Sequence, residues 1–164
     1  MELITPRLRL RPLSPDEMQE LLDGRPLPGQ RWAEGYPLDG SLVLVAMQLD
    51  LVKNGTERGP FCHYQVLLTE EDDLVIGGIG FHAPPDELGE LSVGFGIVAV
   101  ARGRGYAAEA LRALLTWALQ QPEVRSVHAD TDLVNLASQR VLVAAGMRLA
   151  ADEGDRKVYE IQAS

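Results

Sequence analysis

The segment ARGRGYAAEAL, residues 101–111, places two glycines and two arginines immediately before the most regular helical pattern in the chain. Gly103 and Gly105 allow the backbone to turn tightly and let a ligand approach the main-chain amides. The free N–H groups in the first turn of a helix, with the helix dipole behind them, attract phosphate. Arg102 and Arg104 add positive charge within an acidic chain. We therefore predict that this loop binds a phosphate or pyrophosphate group.

The elements on either side of this loop alternate between strand and helix. They are, in order, a strand (90–98), a helix (106–120), a strand (124–131), a helix (135–145) and a final strand (157–161). A strand, a helix and a strand at this spacing predict a β–α–β unit with a parallel pair of strands. Gly94 and Gly96, inside the first strand, predict a bulge or a close backbone neighbour.

The first half of the chain has the pattern of an antiparallel sheet with two helices. Its elements are an N-terminal strand interrupted at Pro6 and ended at Pro12, a helix begun by the capping box of Ser14 and Glu17, a helix (41–53), and a hairpin of strands 61–69 and 74–82. Residues 25–40 are rich in glycine and proline and predict a loop, with a short helical turn at 31–34. Together the two halves predict a mixed α/β fold.

Length and composition limit the classes of protein. A chain of 164 residues with 46% hydrophobic residues fits one globular domain, residues 1–164. The net charge of −9 argues against a nucleic-acid-binding surface, which needs a basic face to neutralise phosphates. An acidic chain can accommodate a cationic substrate, although acidity also serves solubility.

Cysteine and hydropathy give further expectations. Cys62 is the only cysteine, so an intramolecular disulfide and a thiolate zinc cluster are both excluded. His82, His128 and Asp130 do not have the spacing of a metal site, so no metal is expected. The N-terminus lacks the apolar core of a signal peptide, and no run is long and apolar enough to span a membrane. We expect a cytoplasmic protein without membrane partners.

One interpretation of the loop is a dinucleotide-binding turn. Gly103-x-Gly105-x-x-Ala108 fits the loose dinucleotide fingerprint, and Asp130 lies where a ribose-binding acid is expected. That fold needs several further β–α units, whereas only about 60 residues follow the loop, and it has no place for the preceding hairpin. It remains an alternative.

A second interpretation rests on several motifs that extend beyond the loop. Residues 102–107, RGRGYA, resemble the Q/R-x-x-G-x-G/A loop with which GCN5-related N-acetyltransferases (GNAT) grip the pyrophosphate of acetyl-CoA. TPRLRLRPL, GELSVGFGI and NLASQRVLVAAGM are similar to the branch that acetylates the N-termini of ribosomal proteins. The resemblance runs from about Leu3 to Ile161 and is weakest over residues 25–60. It implies a GNAT-like fold, a mostly antiparallel sheet with a splayed parallel pair flanked by helices.

The resemblance implies acetyl-CoA as co-substrate and a set of residues that bind it. These are Val98 and Val100, through their backbone, the loop residues Arg102, Gly103, Arg104, Gly105, Tyr106 and Ala107, and Asn135. Asn135 is also a suitable helix N-cap, so both roles stay open.

Transfer to an amine requires the neutral base, yet a lysine-like amine has a pKa near 10.4, so only about one molecule in 2,500 is neutral at pH 7. The resemblance implies Glu90 as the general base, and His82 is an alternative. The resemblance also implies that Ser138, three residues after Asn135, approaches the departing sulfur. Many similar enzymes have a tyrosine that acts as the general acid seven residues after the asparagine, but this chain has Leu142 there. We expect direct attack in a ternary complex, because Cys62 has no evident activating partner.

Four matters stay open. The acceptor is either a small-molecule amine or a peptide N-terminus, and a homodimer is plausible. Trp32, Glu34, Tyr36 and Asp39 either line an acceptor pocket or anchor an ordinary loop. The leucine at position 142 also allows a non-catalytic acyl-CoA-binding module.

Overall fold

Eight β-strands form one mixed sheet in the computed structural model, which describes residues 1–132 and 135–164. The strands are β1 (Leu3–Ile4), β2 (Leu8–Pro12), β3 (His63–Leu68), β4 (Leu74–Phe81), β5 (Glu90–Ile97), β6 (Ser126–Asp132), β7 (Arg148–Asp152) and β8 (Arg156–Gln162). The helices are α1 (Pro15–Leu22), α2 (Asp39–Lys53), α3 (Tyr106–Leu119) and α4 (Leu136–Ala144). The sheet order is β1-β2-β3-β4-β5-β6-β8-β7, and among the described strands the β5–β6 pair alone is parallel. The predicted mixed α/β fold is confirmed.

Most predicted boundaries agree with the structure to within a few residues, because they depend on strong local signals. Ser14 accepts a hydrogen bond from the Glu17 N–H, and the Glu17 carboxylate accepts one from the Ser14 N–H, so the predicted capping box begins α1. No helix among the described residues is long and apolar enough to cross a bilayer.

Two sequence-based predictions about secondary structure are wrong. The helical turn predicted at 31–34 is absent, because the backbone there bonds to β4: the Ala33 N–H donates to the Val75 carbonyl, and the Val75 N–H donates to the Arg31 carbonyl. Strand β7 was not predicted, since four of its five residues are exposed and it lacks an alternating apolar pattern.

The parallel pair separates after a short paired stretch. Strands β5 and β6 are in register at Glu90–Ser126, Leu91–Val127 and Ser92–His128. Beyond these pairs, β5 continues beside β4 and β6 continues beside β8. A gap therefore opens between the carboxyl-terminal halves of the two parallel strands.

The face of the sheet beneath α2 is rich in glycine. The β4–β5 register runs without a shift, so the predicted bulge is absent, and the close neighbour of Gly96 is a side chain rather than the predicted backbone. A Cβ atom on Gly96 would lie 2.7 Å from Leu38 Cδ1. A Cβ atom on Gly78 would lie 2.6 Å from His63 Nε2 and 2.9 Å from Ser41 Oγ. Glycine at these positions lets the residues before and within α2 approach the sheet closely.

His63 lies fully buried in this layer, and we predict that it makes the fold acid-sensitive. Burial, together with the positive charge of Arg58, lowers the pKa of His63 to about 4. An unfolded histidine titrates near 6.5, so between pH 6.5 and 4 the unfolded chain binds more protons than the folded chain. The free energy of unfolding should therefore fall by about 3 kcal/mol as the pH drops through this window.

Urea unfolding of the parent and of His63→Leu at several pH values measures this effect. The parent should lose stability more steeply than the variant between pH 6.5 and 4.5, while the carboxylates contribute equally to both. Equal slopes in the two proteins would show that His63 does not control the acid sensitivity.

Candidate functional site

A cleft of about 450 Å³ opens where the parallel strands separate. The carboxyl end of β5 forms one wall, the glycine–arginine loop and the start of α3 form the second, and the start of α4 forms the third. Seven of the eleven residues predicted for the site line this cleft: Arg102, Gly103, Gly105, Tyr106, Ala107, Asn135 and Ser138. The structure thus brings the loop and the Asn135–Ser138 segment together, although they are far apart in sequence.

The loop has the backbone conformation that its glycines predict. Gly103 and Gly105 have φ angles of 80° and 82°, a region in which other residues are strained. Gly105 is the N-cap of α3 and supplies no side-chain cap. The first residues of α3 line the cleft. The N–H groups of a helix's first turn have no hydrogen-bond partner within the helix, so here they are available to a ligand in the cleft. This arrangement can bind an anion.

The two predicted arginines of the loop differ in position. The Arg102 Nε donates to the Ile97 carbonyl at 2.8 Å, which ties the loop back to β5, and Arg102 lines the cleft. Arg104 is exposed and does not line the cleft, but its carbonyl accepts a hydrogen bond from Arg7 at 2.9 Å. Arg102 is therefore the better placed of the two to contact a phosphate group.

Asn135 and Ser138 lie together at the start of α4. The Asn135 Oδ1 accepts a hydrogen bond from the Ser138 N–H at 3.1 Å, so Asn135 is the N-cap of α4 and still lines the cleft. Its side-chain NH₂ group is a hydrogen-bond donor. Leu142 is 1% exposed and belongs to the apolar core, so this position offers no proton donor to the cleft.

Val98 and Val100, the predicted backbone contacts, do not line the cleft. The Val98 N–H donates to the Ile76 carbonyl of β4, and the Val98 carbonyl accepts from Ala101. Backbone groups alternate in direction along a strand, so those of Val93, Phe95 and Ile97 face the gap instead. Phe95 and Ile97 line the cleft, whereas Val98 is buried and Val100 is exposed outside it. The alternation along β5 was a signal that could have identified them.

Glu90 lies apart from this cleft, at the other end of β5. It is exposed and lines a second depression of about 340 Å³ with His82, Asp86, Ser92 and His128 among its walls. The Asp86 Oδ1 accepts the Glu90 N–H at 2.9 Å, which fixes the backbone at the start of β5. This depression lies over the paired stretch of β5 and β6, next to the point where the two strands separate. Its carboxylates and imidazoles can accept a proton.

The other candidates have structural surroundings. The Tyr36 hydroxyl accepts a hydrogen bond from Gln65 at 3.1 Å, and burial raises the pKa of Tyr36 to about 12. The Tyr36 ring also packs edge-on against the Trp32 ring, with 5.1 Å between the ring centres, so these two residues anchor the loop. Glu34 and Asp39 are exposed. Burial raises the pKa of the Cys62 thiol and so disfavours a nucleophilic thiolate.

Within the described residues, no group of three or more histidine, cysteine or carboxylate side chains is arranged to hold a metal ion. The side chain of Asp130, the acid of the dinucleotide interpretation, lies outside the described part of the structure.

Sequence reasoning missed a contact that supports the loop from outside the cleft. Arg7, at the entry to β2, contacts Arg104, Tyr106 and Glu109. Burial alone would raise the pKa of Glu109, but hydrogen bonds from Thr5 and Arg7 outweigh it and hold that pKa below its usual value. No local pattern links residue 7 to residue 109, so only the folded arrangement reveals the contact.

Comparison with known proteins identifies similar chains. The family profile described as "Acetyltransferase (GNAT) domain" matches residues 7–148. The protein named "Uncharacterized N-acetyltransferase YjdG" of Bacillus subtilis is 34% identical over 99 residues, which cover 60% of this chain and 58% of that protein. The match thus spans less than two thirds of the relative's length.

Solved structures resemble the whole chain. The acetyltransferase of Agrobacterium tumefaciens superposes with a TM-score of 0.68 at 24% identity, over 99% of this chain and 94% of that one. The ribosomal-protein-S5-alanine acetyltransferase of Vibrio fischeri gives 0.68 at 13% identity, over 100% and 97%. Mycobacterium smegmatis RimJ, solved with a CoA disulfide, gives 0.65 at 16% identity, over 99% and 86%. At these identities the likeness establishes the fold.

Proposed function

The chain belongs to the GNAT acetyltransferase family, and from that premise we propose that it is an acetyl-CoA-dependent N-acetyltransferase whose single domain covers residues 1–164. The observation that carries the proposal is the cleft in which a helix start, the Asn135–Ser138 segment and the edge of β5 beyond its three pairs with β6 meet. A phosphate-bearing ligand with an extended amide arm fits these three walls. The dinucleotide interpretation loses support, because β6 pairs with the antiparallel β8 rather than with further β–α units.

The residues of the cleft suit the parts of acetyl-CoA. The pyrophosphate would lie against the backbone of Gly103, Gly105 and Tyr106, with Arg102 beside it. The amides of the pantetheine arm would pair with the edge of β5 at Phe95 and Ile97, as a further strand does. When bound, acetyl-CoA supplies a thioester carbonyl that an amine can attack.

The acceptor amine would approach from the depression that contains Glu90. The Glu90 carboxylate would remove the proton that the amine loses as its nitrogen bonds to the acetyl carbon. The carbon–sulfur bond breaks in the same reaction. The departing thiolate would accept a hydrogen bond from the Ser138 hydroxyl and take up a proton from water. Cys62 takes no part, because its thiol is buried.

A primary amine is the acceptor that we propose, either a peptide N-terminus or a small molecule. The carboxylates of Asp86 and Glu90 in the depression favour a cationic amine on approach. The ribosomal-protein acetyltransferases among the structural neighbours support a peptide α-amine as the first acceptor to test.

Thermal unfolding with acetyl-CoA, CoA and NAD as separate additions tests the proposal. A ligand at about 100 times its Kd stabilises by roughly 2.7 kcal/mol, so Tm should rise by about 5–10 °C with acetyl-CoA and CoA and stay constant with NAD. Turnover of a peptide or small amine, measured by release of free thiol, then tests catalysis. Binding without turnover of any amine would favour a non-catalytic acyl-CoA-binding module.

We predict that Ser138→Ala lowers kcat by about tenfold, the effect of losing one hydrogen bond to a developing charge. The variant keeps the backbone N–H of residue 138, which donates a hydrogen bond to Asn135 Oδ1, so the N-cap of α4 is retained. Affinity for CoA, measured by titration calorimetry, should therefore match that of the parent. An unchanged kcat would remove Ser138 from the reaction.

A further inference from the structure

Arg7 contacts the glycine–arginine loop at three points from outside the cleft. Its Nη1 donates to the Arg104 carbonyl at 2.9 Å, and its Cζ lies 4.5 Å from the centre of the Tyr106 ring. Its Nε donates to Glu109 Oε1, in the first turn of α3, at 2.7 Å. Arg7 itself does not line the cleft. One guanidinium thus joins the end of the loop and the first turn of α3 to the segment that enters β2.

We propose that Arg7 is a positioning residue that holds the loop in its ligand-binding conformation; this inference rests on the proposed function. The Arg104–Gly105 peptide is trans, so its carbonyl and its N–H point in opposite directions. The hydrogen bond from Arg7 fixes the carbonyl on the outer side of the loop. The Gly105 N–H is thereby held on the opposite side, and Gly105 lines the cleft.

The ion pair with Glu109 has a second effect on an anionic ligand. A carboxylate in the first turn of a helix is stabilised by the helix dipole, but it repels a phosphate bound at the same helix start. The Glu109 carboxylate accepts hydrogen bonds from the Thr5 hydroxyl, the Arg7 N–H and the Arg7 Nε. The positive charge of Arg7 therefore offsets a negative charge in the first turn of α3, the helix at whose start the pyrophosphate is proposed to bind.

Lysine cannot reproduce this arrangement. Arginine presents several N–H donors in a fixed plane that also stacks on an aromatic ring, whereas lysine is a single compact charge on a flexible stem. A lysine at position 7 can pair with Glu109 or bond to the Arg104 carbonyl, but it cannot hold both. The Arg7→Lys variant separates the geometry of the loop from the presence of a positive charge.

The test compares Arg7→Ala, Arg7→Lys and Arg9→Ala with the parent. Arg9, two residues later and within β2, pairs with Glu2 and Asp73 and does not touch the loop, so it controls for loss of a surface arginine. Titration with CoA should show Kd raised about tenfold or more in Arg7→Ala, raised less in Arg7→Lys, and unchanged in Arg9→Ala.

A second measurement distinguishes positioning of the loop from a general loss of structure. S-acetyl-pantetheine is a truncated acetyl donor without the pyrophosphate, so its kcat/KM should be equal in the parent and Arg7→Ala. With acetyl-CoA as donor, kcat/KM should fall about tenfold in Arg7→Ala, with the KM for the amine unchanged. Equal loss with both donors would overturn the inference, as would a CoA Kd within twofold of the parent in Arg7→Ala or a parental Kd in Arg7→Lys. A parent that does not bind CoA would instead overturn the proposed function.

Discussion

Replacing Glu90 by glutamine should lower kcat by about 10²- to 10⁴-fold, the usual contribution of a general base, and leave the Kd for CoA unchanged. Glutamine keeps the size of the side chain and cannot accept the amine proton. The residue is exposed, and the hydrogen bond at this position uses its backbone N–H, so the fold should tolerate the change. Initial rates at saturating acetyl-CoA, with a titration of CoA in parallel, measure both quantities.

Glu87→Gln is the matched control for this experiment. Glu87 is an exposed carboxylate three residues earlier that does not line the depression around Glu90, so its replacement removes the same charge from the same surface. It should retain the parental kcat. If the two variants lose activity equally, the effect is one of surface charge, and His82 becomes the next candidate for the base.

Replacing Gly105 by alanine should weaken CoA binding by roughly 10- to 150-fold, the equivalent of losing one charge-assisted hydrogen bond of about 1.5–3 kcal/mol. Gly105 has a φ of 82°, and an added Cβ would lie 3.4 Å from the Arg7 Nη2. The backbone must move to relieve this strain, and the N–H groups that face the cleft move with it. Titration calorimetry with CoA measures the loss.

Gly154→Ala controls for the cost of the strain itself. Gly154 has a φ of 87° in the turn between β7 and β8, far along the sheet from the cleft, and an added Cβ would meet nothing within 4 Å. Both variants should lose about 1–2 kcal/mol of folding stability, whereas only Gly105→Ala should lose affinity for CoA. Parental affinity in Gly105→Ala would show that the loop does not bind the ligand through this part of its backbone.

Local chemistry made the loop and the helix starts predictable. Gly103 and Gly105 can adopt positive φ at little cost, and the capping box of Ser14 and Glu17 depends on residues three apart. Such features need no knowledge of the rest of the chain. The bridge at Trp32 depends on Val75, a partner distant in sequence, and it was missed. Strand β7 was missed because it is mostly exposed and has no alternating apolar pattern.

In the candidate site, too, the features set by local sequence could be predicted, and those set by the folded arrangement could not. The loop and the Asn135–Ser138 segment, which were predicted from their motifs, line the cleft, whereas Val98 and Val100 do not. A shift of one residue along a strand reverses the direction of every backbone group, so a small error in register changes the predicted contacts completely. Arg7 was missed because its partner Glu109 is reached only through tertiary packing.

The separation of β5 and β6 also has a mechanical consequence. In the described part of the chain, three residue pairs form a narrow seam between the β1–β5 half of the sheet and the β6–β8 half. A ligand arm that pairs with β5 in the gap would lie between the two halves of the sheet and stabilise their contact. Amide hydrogen exchange should then slow in β6 as well as in β5, because opening of the seam exposes both strands. Binding of the donor would thus stiffen the region that forms the acceptor's depression.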